Sequence, residues 1–208
     1  MNEENSIKMI LIGMSGTGKT NIIKALVDKP FEDNSVSTLT SSFVSKTINI
    51  NNKNYRIELW DTAGQEMYKS LTKLFIVDSK IVIFVYDITS KRSFEELDFW
   101  VNTAKETLGE NPVYGLFGNK KDLYLNEQVE ESDGEKKANE IGAIFKLTSA
   151  KCERENLNEY IIELVSEYIK RINKIKNTGD ETSNKDDFFS LKNDDDNNNN
   201  NKKKGCCN

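Results

Sequence analysis

An α/β fold is predicted, a six-stranded, mostly parallel sheet flanked by helices, and three observations predict it. Six short runs rich in branched and aromatic residues recur along the chain, amphipathic stretches at helical spacing lie between the later runs, and one connection is short enough for a hairpin. The remaining connections are long enough for crossovers, which parallel neighbours need.

The first run, IKMILIG, leads into GMSGTGKT at residues 13–20 and then into the helical NIIKAL. The second and third, SFVSKTINI and YRIELWD, meet through NINNKNY, close enough to pair antiparallel. KIVIFVYDI, NPVYGLFGN and AIFKLTS complete the six. Phe94, Leu97, Val101, Ala104 and Leu108 fall at helical spacing, as do Leu157, Ile161, Leu164, Val165, Tyr168, Ile172 and Ile175. From about Asn177 that pattern stops, and charge blocks with an asparagine run read as a disordered tail. The expected organisation is a flexible start at 1–6, one folded domain at 7–176 and a tail at 177–208.

Composition narrows the functions. With 208 residues, 37% of them hydrophobic, the chain can bury one good core. A formal charge of −5 argues against a general nucleic-acid binder, so no nucleic-acid partner is expected. The absence of histidine removes Ser–His–Asp and Cys–His chemistry and every His-ligated metal site. Three cysteines, Cys152, Cys206 and Cys207, are too few and too badly spaced for a disulfide framework; Cys152 is read as structural, and the chain as intracellular. The start MNEENSIKMI supports no signal or transit peptide, and no run approaches the ~18 apolar residues of a membrane span.

The chemistry lies at strand ends, where open α/β sheets place ligands. In GMSGTGKT, Gly13, Gly16 and Gly18 belong to a loop, with Ser15 and Thr17, whose backbone N–H groups can turn inward on phosphate oxygens ahead of a helix N-terminus. Lys19 would reach the β- and γ-phosphates, and the Thr20 hydroxyl would ligate Mg²⁺. WDTAGQE supplies Asp61 to the metal, Gly64 whose N–H can face a γ-phosphate, and Gln65 to orient water. GNKKD, with Asn119, Lys120 and Asp122, suits guanine, because the Asp122 carboxylate can accept from both N1–H and the exocyclic amine. TSAK, with Ser149, Ala150 and Lys151, can offer the Ala150 N–H to the guanine O6. An ATPase or kinase is disfavoured by this pair of motifs.

Together these stretches closely resemble the Ras superfamily of small GTPases, over about residues 6–176, and within it the Rab branch. The resemblance implies a P-loop GTPase domain that binds GTP and GDP with Mg²⁺ and hydrolyses GTP slowly unless an activating protein helps. It implies that Thr38 binds Mg²⁺ and the γ-phosphate, that Phe31 packs near the base, and that catalysis rests on Lys19, Thr38, Gly64 and Gln65. Phe43, Trp60 and Phe75 match an aromatic triad through which Rab proteins meet effectors, although aromatic residues at such positions fit a core equally well. An exchange factor, a GTPase-activating protein, an escort or dissociation inhibitor and effectors are the implied partners of a monomeric domain.

LTSSF, EMYKSL and FIVDS stand where Rab proteins usually carry IGVDF, ERYRSL and YYRGA, so partner identity does not follow. The altered switches suggest a second reading, a guanine-nucleotide-holding module that does not cycle; Thr38, Gly64 and Gln65 argue against it. The ending GCCN is not a C-a-a-X box. It resembles Rab tails geranylgeranylated on both cysteines, here Cys206 and Cys207, behind Lys202, Lys203 and Lys204, which implies a tether to the cytoplasmic face of a membrane and exchange with the cytosol.

Overall fold

The computed structural model describes residues 6–32, 42–62, 69–109 and 111–180. Strand β1 spans Ser6–Ile12, helix α1 Lys19–Leu26, β2 Ser42–Ile50 and β3 Lys53–Asp61. Then come α2 (Lys69–Ile76), β4 (Ile81–Asp87), α3 (Lys91–Glu95), α4 (Leu97–Leu108), β5 (Val113–Asn119), a 3-10 turn (Lys121–Asn126), α5 (Glu131–Ile141), β6 (Ala143–Leu147) and α6 (Arg154–Asp180). The strands lie in the order β2-β3-β1-β4-β5-β6, with β2 and β3 antiparallel and the other neighbours parallel. This is the mostly parallel six-stranded sheet that the alternating runs predict.

Local chemistry accounts for the hairpin. Asn51 and Asn52 both take left-handed backbone angles, φ 52° and 61°, as a two-residue turn matched to the strand twist requires. Side-chain alternation then sorts two cores. Met9 and Leu11 of β1, with Ile83 and Val85 of β4, pack with Ile22 and Leu26 of α1 and Leu157, Ile161, Leu164 and Val165 of α6. Ile10 and Ile12, with Val82, Phe84 and Tyr86, pack on the other face with Trp100 and Ala104 of α4 and Ala138 of α5. Both faces of β1 and β4 are covered, which is why these strands read as nearly unbroken apolar runs.

Two details differ from the spacing-based expectation. The stretch from Phe94 to Leu108 forms two helices rather than one, jointed at Glu96. The first is pinned by Ser90, whose hydroxyl accepts from the Ser93 N–H at 3.3 Å, and by Phe94, set edge-on to Tyr86 at 5.0 Å. Residues 1–173 form one compact unit, which holds the sheet and the site; of the second, residues 174–208, the structure describes the end of α6. That helix continues past Asn177 to Asp180, because helical hydrogen bonds propagate one residue at a time without needing an apolar face.

After β1 the chain passes through α1 to β2 and then β3 on one side of β1, while β4 lies on the other. At such a reversal the carboxyl ends of the strands leave a crevice, and GMSGTGKT sits there.

Candidate functional site

The phosphate side is shaped by how closely backbone must pass backbone. A Cβ on Gly13 would fall 2.2 Å from the Val85 carbonyl oxygen of β4, so no side chain fits there. Gly18, at φ 93°, begins α1, and a Cβ on it would fall 2.3 Å from Nδ2 of Asn119. Gly16, at φ 81°, faces open space and is required by its angle alone. Thr17 is buried and donates to the Met14 carbonyl at 3.0 Å.

Lys19 is folded back over this loop. Its Nζ donates to the carbonyls of Gly13 and Met14, each at 2.8 Å, and only 5% of the residue is exposed. Burial draws its pKa down to about 8, with the Asp61 carboxylate acting against that shift. A cation held in this way favours an anion entering the loop. At its end the Thr20 hydroxyl donates to Asp61 Oδ2 at 2.7 Å, placing a neutral and an anionic oxygen side by side. Hard oxygen donors beside a phosphate-type loop suit Mg²⁺, which takes few protein ligands and completes its shell with phosphate and water. The residues therefore fit the metal.

The second corner is organised by one amide. Asn119, 2% exposed, donates from Nδ2 to the Thr17 carbonyl at 2.8 Å. Its Oδ1 accepts from the Ala150 N–H at 3.2 Å and from the Thr148 hydroxyl at 3.3 Å. GNKKD, TSAK and the phosphate loop are thus joined through a single side chain. Asp122 accepts from the Ser149 hydroxyl at 2.6 Å, and that hydroxyl oxygen in turn accepts from the Cys152 N–H at 3.1 Å. Ser149 here orients a carboxylate. Lys120, left-handed at φ 69°, pairs with Asp87 Oδ2 at 2.5 Å. Lys151 places its Nζ 5.5 Å from the ring centre of Phe31, bringing a residue from after α1 against the TSAK corner.

A family model described as the Ras family matches residues 8–170. The chain belongs to the Ras family of small GTPases. It is 39% identical over 148 residues to the Ras-related protein Rab-2B of Dictyostelium discoideum, an alignment covering 71% of this chain and 73% of that protein. The family match encloses all four nucleotide motifs and ends short of Cys206 and Cys207.

Against this family frame the expected residues divide. Gly13, Gly16, Gly18, Lys19, Thr20, Asp61, Asn119, Lys120, Asp122, Ser149, Ala150, Lys151 and Phe31 belong to the two connected corners. Thr38, Gly64, Gln65, Lys202, Lys203, Lys204, Cys206 and Cys207 lie outside the described residues. Of the aromatic set, Phe43 is 50% exposed and stacks on its cross-strand partner Trp60 at 5.0 Å, whereas Phe75 is half-buried against the core. The core reading fails for Phe43. Cys152 is also misread by the sequence: it is a free, exposed thiol in the turn after TSAK.

Asp87 is the residue that sequence reasoning passes over. It ends β4, pairs with Lys120, and its Oδ1 accepts from the Thr89 N–H and hydroxyl at 2.9 and 2.7 Å. The signal was present as a carboxylate closing an otherwise apolar run, the same place in its strand that Asp61 occupies in β3. Among the described residues, no helix is long and apolar enough to cross a membrane.

Proposed function

We propose that this chain is a Rab-type switch that binds GTP and GDP with Mg²⁺, hydrolyses GTP slowly by itself, and acts on intracellular vesicle membranes to which a lipidated tail tethers it. The observation that carries the guanine reading is the Asn119 amide, which joins the phosphate loop at Thr17 to TSAK at Ala150 while Ser149 holds Asp122 beside them. Asp122, oriented in this way, recognises two adjacent purine donors that adenine does not present. Thr20 and Asp61, with Thr38, would hold Mg²⁺, which when bound neutralises charge on the phosphate oxygens. Lys19 supplies a cation at the same phosphates. Gln65 orients the attacking water and the Gly64 N–H faces the γ-phosphate, so no covalent intermediate is needed.

Hydrolysis then releases the segments around Thr38 and Gly64, which changes the surface offered to effectors. Regulators are needed because unaided Ras-type turnover is on the order of 10⁻⁴ per second. Cys206 and Cys207 carry the lipid, since two chains hold a membrane where one is marginal. Lys202, Lys203 and Lys204 add about 1 kcal/mol each at an anionic leaflet.

The test begins with purified full-length protein, denatured and its released nucleotide separated by ion exchange. Guanine nucleotide in near-stoichiometric amount is expected, with faster release on Mg²⁺ chelation. Single-turnover phosphate release from GTP, slowed by Gln65→Leu, is expected over hours. No release over that time at excess enzyme replaces the cycling switch with a static guanine-nucleotide module. Replacing Cys206 and Cys207 by serine should abolish membrane fractionation while leaving nucleotide binding intact.

A further inference from the structure

The segment that carries Phe31, residues 27–32, has neither helix nor strand, yet three elements tie it down. It begins as the cap of α1. Asp28 is left-handed at φ 59°, the Lys29 N–H donates to the Lys24 carbonyl at 2.8 Å, and the Asp28 N–H donates to the Ala25 carbonyl at 3.3 Å. This Schellman arrangement satisfies two of the last helical carbonyls and leaves that of Leu26 over. Lys46 of β2 donates to it. Arg154, at the start of α6, donates from Nη2 to the Lys29 carbonyl at 2.7 Å, with Nη1 at 3.5 Å from the Asp28 carboxylate.

The two cations are also braced to each other. Lys46 donates to Asn158 Oδ1 at 2.5 Å, and Asn158 Nδ2 donates to the Arg154 carbonyl at 3.2 Å. At the far end of the segment, Asn21 donates to the Glu32 carbonyl at 3.1 Å and Lys24 pairs with the Glu32 carboxylate at 2.6 Å. Pro30 further restricts the backbone between these anchors. Phe31 is thus carried on a short strap fixed at both ends, with Lys151 over its ring.

We propose that Lys46 and Arg154 are positioning residues that set how long bound guanine nucleotide is retained, by holding the 27–32 strap and its Phe31 against the TSAK corner. This inference rests on the guanine-nucleotide reading. Neither residue needs to touch nucleotide. Arg154 ends on a carbonyl of the strap and Lys46 on that of Leu26, the last residue of α1, from which the strap leaves, and hydrogen bonds to charged groups contribute more than neutral ones. The exposed Arg154–Asp28 ion pair contributes little by itself. Losing the Lys46 bonds also leaves a helix-end carbonyl without its side-chain partner, so Lys46 is the stronger of the two. Contacts that order a segment over a bound ligand act mainly on the dissociation rate.

The experiment follows release of a fluorescent GDP from the full chain after excess unlabelled GDP is added. Lys46→Ala should speed release about tenfold and Arg154→Ala about threefold, while Lys46→Arg should stay within about twofold of wild type. The deciding measurement is a double-mutant cycle with Phe31→Ala. If Lys46 acts through Phe31, Lys46→Ala adds less than about twofold once the ring is gone. Additive effects, or wild-type release from both alanine variants, would overturn the proposal. If circular dichroism shows Lys46→Ala unfolded, the cycle is run with Arg154→Ala, and the same criterion decides. A wild-type chain that retains no guanine nucleotide overturns the underlying reading instead.

Discussion

The corner built by GNKKD and TSAK and the aromatic pair on the β2–β3 ribbon both sit near strand ends, but they are made of opposite materials. In the corner, Asn119 is buried and hydrogen-bonded at both ends of its amide, and Asp122 is held by a serine that is itself held by a backbone N–H. On the ribbon, Phe43 lies half in solvent on Trp60, whose buried indole N–H has no acceptor among the described residues and whose ring is approached by the Lys8 ammonium at 4.6 Å. Buried polar groups with fixed partners hold one geometry, as discrimination between two purines demands. Exposed rings can be covered by a larger surface and lose little while uncovered. Under the proposed function, the same sheet carries a rigid reader and an open platform.

The comparison can be broken most severely at Gly18. Gly18→Ala places a methyl 2.3 Å from Asn119 Nδ2 at a left-handed backbone angle, so strain and loss of the amide bond combine. GDP release should accelerate at least ~100-fold, roughly 3 kcal/mol, as read by fluorescent-nucleotide dissociation. Asn119→Ala comes next. It leaves the Thr17 carbonyl and the Ala150 N–H without this partner, and about 2 kcal/mol, some 30-fold in the same assay, is expected. Wild-type retention by this variant would show that the corner is not held by its amide.

Ser149→Ala sharpens the contrast more gently. Asp122 keeps its charge but loses its orienting hydroxyl, so discrimination between GDP and xanthosine diphosphate should fall about tenfold in competition binding, with little change in melting temperature. Phe43→Ala should do least. Removing an exposed stacked ring costs about 1 kcal/mol, a fall of a few degrees in melting temperature, and GDP release should remain at the wild-type rate. Faster release from Phe43→Ala would mean that the platform and the reader are coupled.

Legibility differed by region in the same way. The six strands, the hairpin and the phosphate loop could be read because runs of branched and aromatic residues, a short connection and glycine spacing report backbone geometry within a few residues. The break at Glu96 escaped, since apolar residues on both sides of it keep helical spacing while the side-chain and backbone bonds of Ser90, Ser93 and Asp87 close the first helix separately. The roles inside the corner were visible by residue type but not by partner. Ser149 is read from the sequence as a nucleotide contact, and the bond its hydroxyl makes is to Asp122.

By itself, then, the sequence determined that an α/β sheet would place a glycine-bent, lysine-bearing loop and two guanine-type motifs at its strand ends. Those features depend on local sterics, periodicity and the chemistry of single side chains. Tertiary structure decided that Asn119 would reach Thr17 across 102 positions, that Lys120 would meet Asp87, that Lys46 and Arg154 would converge on one strap, and that Phe43 would face outward. Each of these depends on which strand lies beside which. Strand order is selected by burying two apolar faces of one sheet at once, and no local window of the chain contains that requirement.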